Sequence, residues 1–214
     1  MRDIIMGAFR FSLISWILCG FIYPLFTTIF AQALFPFQAN GSLISRADRT
    51  VVASRLIGQN WNGPQWFHGR LSATVGTDSN NPQNGISQPY NALNSGGSNL
   101  GPTSKELAQR LLADRRNLEI EQPELVGKLL PADILTTSAS GLDPDISIAN
   151  AWLQARRIAA QRAIPKEKVQ ALIEQHFIGR DLGVFGEPRV NVLELNLALE
   201  RAFPHETGGK PNLR

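Results

Sequence analysis

Cysteine and histidine are scarce in this 214-residue chain, which contains one Cys and three His. Because Cys19 has no second thiol to pair with, a disulfide within the chain and a thiolate metal site are both excluded. His68, His176 and His205 lie far apart in the sequence. Since metal sites are built from several Cys, His or acidic ligands, this distribution predicts that the protein holds no metal.

Clusters of positive charge are also missing. Lys and Arg number 21 against 18 Asp and Glu, a formal net charge of +3, and the basic residues occur singly or in pairs. A nucleic-acid-binding surface needs Lys and Arg concentrated on one face or along one helix. The composition therefore predicts a protein with no nucleic-acid partner.

Charge of either sign is absent between Arg10 and Arg46. Residues 11–35 read FSLISWILCGFIYPLFTTIFAQALF, and as a helix these 25 residues reach roughly 37 Å, enough to cross the hydrocarbon core of a bilayer. We therefore predict a transmembrane helix over 11–35. The alternative is a signal peptide cleaved after Ala31-Gln32-Ala33, but the apolar run is longer than the about 7–15 residues of a signal peptide core.

The charges that flank the span predict its orientation. Arg2, Arg10 and the N-terminal amine precede it, whereas the first ten residues after it contain no Lys or Arg. By the positive-inside rule, residues 1–10 are cytoplasmic and residues 36–205 form one extracytoplasmic domain. A flexible tail is predicted over residues 206–214.

The outer part of the chain mixes strand and helix signals, which predicts an α+β domain of several helices with a small β-sheet or hairpin. Two clusters of apolar and β-branched residues around the polar RADRT predict a hairpin within 42–57. Thr103 and Glu106 have the spacing of a capping box, so a helix is predicted over 104–117 with Thr103 as its N-cap. The other predicted elements are a strand over 134–137, a helix from the Asp143-Pro144 turn to about Ile164, a helix that begins at Pro165, and a helix over 190–203.

Two features of these segments bear on what the domain exposes. The apolar stripe of the long helix includes Trp152, whereas Arg156, Arg157 and Arg162 lie off or beside the stripe and are expected to face solvent. Residues 71–102 show almost no helical or strand periodicity, and a loop of this length inside a domain is usually functional or disordered. Its expected tethers to the core are Tyr90, Leu93 and Leu100.

Aromatic residues are concentrated in the irregular segment 58–70. Trp66, Phe67, His68 and Arg70 fall within five residues. One interpretation is that the aromatic side chains anchor a long loop to the core. The other is a contact surface, because Trp and Arg are enriched in interface hot spots. His68 is also a candidate ligand or general base.

The stretch Tyr90–Pro102 reads YNALNSGGSNLGP and runs into a predicted helix start. A glycine-rich turn brings backbone N–H groups close to an anion, which suggests a phosphate cradle. We favour a docking or scaffolding surface instead, because the stretch lacks the lysine of a Walker A loop. The candidate contact residues are Tyr90, Ser95, Gly96, Gly97, Ser98 and Asn99.

Catalytic motifs are absent from the sequence as well. GxGxxG, HExxH and an EF-hand ligand series do not occur, and the residues around Ser98 miss the last glycine of a nucleophile elbow by one position. Asp143 and Asp145 are candidate cation ligands, but a proline separates them and Ser147 follows, so helix capping is the favoured role. We predict no catalytic residue and no covalently bound cofactor.

Five blocks of sequence, taken in order, resemble the C subunit of the bacterial Kdp potassium-transporting ATPase, the KdpC family. NSGGSNLGPT, SASGLDPDIS and RVNVLELNLAL, which begin at residues 94, 138 and 189, resemble its signature blocks. FHGRLSA from residue 67 and SLI…LIGQ over 42–59 resemble its earlier blocks, and the apolar stretch resembles its single N-terminal helix. The resemblance covers nearly the whole chain, with Leu71 standing where a proline is expected.

The resemblance implies a non-catalytic subunit of a high-affinity, ATP-driven K⁺ uptake complex in the bacterial plasma (inner) membrane. It also implies three partners: a channel-like K⁺-translocating subunit, a P-type ATPase subunit that hydrolyses ATP, and a small single-helix subunit. The family is described as a catalytic chaperone that raises the ATP affinity of the pump. Gln154 resembles the glutamine proposed to contact the nucleotide, and Ser140 and Gly141 belong to the neighbouring SGLDP turn.

The charge argument conflicts with direct sharing of a nucleotide. ATP is hydrolysed in the cytoplasm, whereas the flanking charges put residues 36–205 outside. We therefore favour an assembly role, in which Asp143 and the irregular loops help to form a docking surface for the channel subunit and ATP acts only through the complex. The alternatives are a nucleotide-binding regulator on the cytoplasmic side and a membrane-anchored extracytoplasmic hydrolase that uses Ser98 with a histidine.

Overall fold

A computed structural model gives the fold of the chain, and it describes residues 1–45, 49–78, 81 and 84–204. The chain divides into two units, Met1–Ser54 and Arg55–Arg214. The predicted tail over 206–214 lies outside the described residues. The mixture of helices and short antiparallel strands confirms the predicted α+β class.

The first unit is dominated by one helix, α1, which runs over Arg2–Leu34 and is 33 residues long. It begins earlier than the predicted span, and none of its described residues is buried. Leu18–Ile22 form a π-helical turn in which the N–H of Tyr23 bonds to the carbonyl of Leu18. Pro24, the next residue, has no N–H to donate, and this accounts for the local change in the backbone hydrogen-bond pattern of the helix. By length and composition, α1 is able to cross a membrane.

A short helix and a hairpin complete the first unit. Helix α2 (Pro36–Ala39) is a single turn, and β1 (Leu43–Ser45) pairs antiparallel with β2 (Val51–Ser54). The predicted hairpin is therefore confirmed. Residues 46–48 of its predicted loop lie outside the described residues.

The second unit combines an antiparallel hairpin, a three-stranded antiparallel sheet and four longer helices among its described residues. In the sheet, β7 is central, between β5 and β6. Two 3₁₀ helices, Pro123–Leu125 and Ala132–Ile134, follow α3. The elements are β3 (Val75–Thr77), β4 (Gly85–Ser87), α3 (Lys105–Glu121), β5 (Asp145–Ser147), α4 (Ile148–Gln161), α5 (Lys166–Gln175), β6 (Phe177–Ile178), β7 (Arg189–Asn191) and α6 (Val192–Ala202).

The hydrophobic core lies among α4, α5, α6 and the three-stranded sheet. Helix α4 packs against α5, and α5 packs against α6. Helix α3, in contrast, has no buried residue along its described length. Most of the core therefore comes from the C-terminal third of the chain. Its most deeply buried apolar side chains are Phe67, Ile146, Ile158, Val169, Ile173, Val190, Leu193, Leu195 and Leu199.

Helix α3 begins one residue later than the sequence pattern predicts. Ser104 is its N-cap in place of Thr103, and the Ser104 hydroxyl accepts the N–H of Leu107 at 3.3 Å. Glu106 is then the second helical residue, so the predicted capping box does not form. The helix continues past 117 to Glu121, because the first residue that cannot continue it is the proline at 123.

The strand predicted over 134–137 is wrong. Thr136 bonds back to the carbonyl of Ala132 through both its N–H and its hydroxyl, each at 2.9 Å. Local bonds of this kind compete with sheet pairing. Thr137 does form an isolated bridge, to Leu71.

Short strands account for the other differences from prediction. The segment 71–102 contains the β3–β4 hairpin, and three-residue strands are too short to show alternation. The last helix begins at Val192 rather than at 190, because Val190 and Asn191 belong to β7. The Asn191 side chain then caps the helix by accepting the N–H of Glu194 at 3.1 Å.

Candidate functional site

Helix side chains hold the irregular segment 63–68, called the clamped segment below. Asn196 on α6 pairs with both backbone groups of Phe67, accepting its N–H and donating to its carbonyl at 2.9 Å each. Gln154 on α4 does the same for His68, at 2.8 and 3.0 Å. Consecutive residues of an extended chain direct their backbone N–H and C=O groups to opposite sides. The two amides therefore pair with opposite sides of the clamped segment, as two neighbouring strands would in a sheet.

Two arginines of α4 and its C-terminal end bind the rest of the clamped segment. Arg157 donates to the carbonyls of Pro64 and Trp66. Arg162 donates to the carbonyl of Gln65 at 2.9 Å, and its guanidinium lies 4.4 Å from the centre of the Trp66 ring. Together, the two amides and the two arginines donate to the carbonyls of residues 64–68, which are all the carbonyls of the clamped segment except that of Gly63.

The expected solvent exposure of Arg157 and Arg162 is wrong. Both side chains are buried, whereas Trp152, expected on the inner stripe of the same helix, is exposed. The reason is that α4 packs against irregular backbone, whose carbonyls need donors. Burial lowers the pKa of Arg157, although the nearby Glu121 carboxylate opposes that shift.

The aromatic residues of the clamped segment are anchors rather than a free contact surface. Trp66 and Phe67 are buried, so neither is available for docking. The Nε2 atom of His68 lies 2.8 Å from the carbonyl oxygen of Gly63. Burial, reinforced by the charge of Arg157, lowers the pKa of His68. The ring is therefore neutral near pH 7, and Nε2 carries the proton, since a carbonyl oxygen can only accept.

Gln154 has no spare hydrogen-bonding capacity. Besides its two bonds to His68, its Oε1 accepts from Arg157 and its Nε2 donates to Asn150 Oδ1, both at 2.9 Å. A glutamine amide offers two donor and two acceptor positions, and all four are used. The residue is only 2% exposed. A nucleotide would have to break the clamp in order to reach this side chain.

The glycine-rich stretch lies against the SASGLD turn. The N–H of Gly96 and the hydroxyl of Ser95 both donate to the carbonyl of Ser140 at 2.9 Å. Gly141 has a φ of +68°, and a Cβ there would lie 2.7 Å from the carbonyl oxygen of Gly96. Gly97 is equally tight, because its Cβ would lie 2.7 Å from the carbonyl oxygen of Ala139. The glycines of these two motifs thus allow two backbones to meet.

Tyr90 ties the start of the glycine-rich stretch to the end of the aromatic segment, as expected for a tether. Its hydroxyl donates to the carbonyl of Arg70 at 2.6 Å, and burial raises its pKa. Gly58 and Gly69 both lie so close to the Tyr90 ring that a Cβ at either would collide with it. Leu93, the second expected tether, is exposed, so that expectation is wrong.

Arg70 and Asp143 form an ion pair that joins the aromatic segment to the SASGLD turn. The guanidinium lies 3.0 Å from the carboxylate and also donates to Thr137 O at 3.2 Å. The other carboxylate oxygen of Asp143 accepts the N–H of Asp145 at 3.0 Å, while Ser147 caps α4. Among the described residues, no group of three His, Cys, Asp or Glu side chains is placed to hold a metal ion.

Two cavities border these loops. The first, of about 240 Å³, is bordered by Gln154, Arg157 and one side of α3. It is smaller than the roughly 300–1,000 Å³ of most small-molecule sites. The second, of about 390 Å³, is bordered by Ser98, Arg70 and Arg110, and each of these arginines already pairs with a carboxylate. Neither cavity therefore resembles a preformed triphosphate site.

A Ser–His pair is not formed within the described part of the chain. Ser98 Oγ lies 3.4 Å from Thr137 Oγ1. The rings of His68 and His176 each bond a backbone carbonyl, both at 2.8 Å. His205 lies outside the described residues. The structure thus gives no support to a serine hydrolase.

Comparison with known proteins identifies the family. The family described as KdpC, the c chain of K⁺-transporting ATPases, matches residues 5–201. This chain belongs to the KdpC family. The potassium-transporting ATPase KdpC subunit of Bradyrhizobium diazoefficiens is 54% identical over 183 residues, which cover 86% of this chain and 89% of the relative. Those of Rhodopseudomonas palustris and Methylobacterium nodulans are 51% and 52% identical, each over 86% of this chain and 90% of the relative.

Membership of the KdpC family confirms the resemblance seen in the sequence blocks. It also confirms an accessory subunit of a K⁺-transporting ATPase rather than an enzyme in its own right, because the family and its relatives are named as a subunit. The roles predicted for individual residues stay predictions. The contacts described above are the evidence that bears on these residue roles.

Sequence reasoning missed the clamp itself, because it singled out Gln154 only as a nucleotide contact and did not single out Asn150 or Asn196. Asn150, Gln154 and Arg157 recur with helical spacing, i, i+4 and i+7, beside the apolar stripe of α4. Asn196 stands alone between leucines in VLELNLAL. A lone amide within an apolar helix face indicates a buried hydrogen-bonding partner, and that signal was available.

Proposed function

We propose that this chain is a non-catalytic assembly subunit of a high-affinity K⁺-transporting ATPase complex in the bacterial plasma membrane. Its partners are a channel-like K⁺-translocating subunit, a P-type catalytic subunit and a small single-helix subunit. Helix α1 crosses the bilayer, and the rest of the chain from residue 36 forms an extracytoplasmic domain that docks on the channel-like subunit. The domain raises the ATP affinity of the pump through assembly and does not bind ATP itself.

The N-terminal charges support this orientation. Arg2 and Arg10 precede the uncharged part of α1, and the next basic residue is Arg46. Cytoplasmic flanks of membrane spans carry the excess of Lys and Arg. An extracytoplasmic domain cannot share a nucleotide that is bound and hydrolysed in the cytoplasm.

The observation that carries the assembly role is the saturated amide of Gln154. A residue that contacts a nucleotide presents free donors or acceptors to it, whereas all four positions of this amide bond the protein itself. The carbonyl of Ser140 also bonds within the protein, since it accepts two bonds from the glycine-rich stretch. These motifs therefore fix the shape of the domain.

The test is the side of the membrane on which the domain lies. In a Cys19→Ser background, Leu129→Cys provides a single thiol at a fully exposed position of the domain. Met6→Cys provides a matched single thiol near the N-terminal end of α1, before the uncharged part of the helix. We expect a membrane-impermeant maleimide to label Leu129→Cys in intact spheroplasts, and Met6→Cys only after permeabilisation. The reverse pattern would place the domain in the cytoplasm and refute the proposed orientation.

Assembly is tested by purification of the complex. The wild-type chain is expected to co-purify with the other subunits of the K⁺-transporting ATPase from detergent-solubilised membranes, and to show no ATPase activity alone. ATP hydrolysis by the isolated chain would refute a non-catalytic subunit.

A further inference from the structure

Residues 181–185 form a tight hairpin tip, called the apolar tip below. Asp181 and Phe185 exchange two backbone hydrogen bonds, at 2.8 and 2.9 Å. Between them, Leu182 and Gly183 have φ values of +53° and +75°. Two consecutive central residues with positive φ are the mark of a type I′ turn, which normally takes Asn-Gly or Asp-Gly.

The apolar tip presents large hydrophobic side chains to water. Leu182, Val184 and Phe185 are 90%, 70% and 66% exposed. Leu182 is in addition held in the left-handed region, which is strained for a residue with a Cβ. Asparagine at this position would reduce both the strain and the exposed apolar area. Strain and exposure that folding does not need are typical of a residue used in binding.

Ion pairs lie beside the base of the apolar tip. One guanidinium nitrogen of Arg180, Nη2, donates to both carboxylate oxygens of Glu187, at 2.9 and 2.8 Å. Arg189 lies 3.0 Å from Asp145 and 3.9 Å from Asp181. Two basic and three acidic side chains therefore lie near the apolar tip, so its surroundings carry no excess of positive charge.

We infer that the apolar tip is a docking element that inserts into an apolar pocket with a polar rim on another protein subunit of the K⁺-transporting complex. This inference rests on the proposed assembly function. Protein interfaces combine a buried apolar centre with a polar rim, which matches the apolar tip and the charged side chains of both signs beside it. A lipid surface is the less suitable occupant, because elements that bind membranes carry an excess of Lys and Arg beside their apolar residues.

The first experiment separates docking from folding with Leu182→Asn. Asparagine suits the type I′ turn, so the melting temperature of the full-length chain should stay unchanged or rise by about 2–4 °C. The loss of the apolar contact should weaken association with the other subunits roughly tenfold or more, measured by co-purification under dilution. Phe185→Ser should weaken it similarly. Leu129→Asn, which replaces a fully exposed leucine elsewhere in the domain, is the matched control and should assemble normally.

A crosslink identifies the occupant. A photoreactive maleimide attached to Val184→Cys in the Cys19→Ser background is expected to join the chain to a protein subunit of the complex. If the wild-type chain itself fails to co-purify, the proposed function is wrong. If the wild type assembles and the two tip variants assemble equally well, the tip inference is overturned and the proposed function stands. Crosslinks exclusively to lipid would also overturn it.

Discussion

The buried amide of Gln154 offers the sharpest way to separate a structural role from a nucleotide-contacting role. Gln154→Ala removes its bonds to both backbone groups of His68 and leaves those groups unpaired in the protein interior. Asn196→Ala does the same to Phe67. If the two amides act as clamps, both substitutions should destabilise the fold, although they lie on different helices. The loss should be larger for Gln154→Ala, which also removes the bonds to Asn150 and Arg157.

The magnitude follows from the groups left without partners. A buried backbone donor or acceptor that loses its partner costs about 1–3 kcal/mol. Each substitution leaves at least two such groups, so we expect a loss of about 2–6 kcal/mol in the free energy of unfolding. For a chain of this size, that corresponds to a fall of about 4–24 °C in melting temperature. The double variant should lose less than the sum, because both amides hold the same segment.

The assay is thermal unfolding of the full-length chain in detergent, together with the ATP dependence of the assembled pump. Gln161→Ala, an exposed glutamine at the end of the same helix, is the matched control and should leave the melting temperature nearly unchanged. The reasoning is refuted if Gln154→Ala keeps the wild-type melting temperature and raises the ATP requirement of the pump while Asn196→Ala does neither. That outcome would mean that Gln154 contacts the nucleotide.

Further predictions concern tight packing, helix capping and pH. Gly141→Ala should lower the free energy of unfolding by about 2–4 kcal/mol in thermal melts, because its Cβ would lie 2.7 Å from a backbone oxygen. Gly127→Ala, where φ is +73° but no atom is near, should cost about 1 kcal/mol. Ser104→Ala should cost about 1 kcal/mol by the same measurement and Thr103→Ala almost nothing; equal losses would contradict the assigned cap. Because the folded-state pKa of His68 is lowered, the unfolded chain binds more protons below pH about 6.5, so stability should fall as the pH falls through that window. Melting temperatures at pH 7.5 and 5.5 should therefore differ less for His68→Gln than for the wild type.

Elements whose sequence pattern extends over many consecutive residues were predictable. Helix α1 follows from an uncharged apolar run, and the hairpin of β1 and β2 follows from two β-branched clusters around a polar loop. The family was evident because several loose motifs occur in a fixed order. The glycine-rich motifs stand out in the sequence, and in the structure Gly141 needs both its positive φ and its missing Cβ.

Hydrophobic periodicity predicted most of the buried apolar residues of α4, but it did not predict the polar part of the same inner face. That method assumes that a helix packs against apolar side chains, and it therefore placed Trp152 inside and Arg157 outside. The structure reverses the two, because the partner of this face is irregular backbone rich in carbonyl groups. The one-residue error at Ser104 has a smaller cause, since two adjacent hydroxyl residues are equally good caps by sequence.

Hydrogen exchange on the chain alone, in the assembled complex, and in the complex with a non-hydrolysable ATP analogue tests the central claim most directly. The account predicts that peptides covering the clamped segment and α4 are slow to exchange before assembly and are unchanged by the nucleotide. The peptide covering residues 180–187 should gain protection on assembly. A nucleotide-dependent change at residues 63–69 or 150–157, with no protection of the apolar tip, would contradict it.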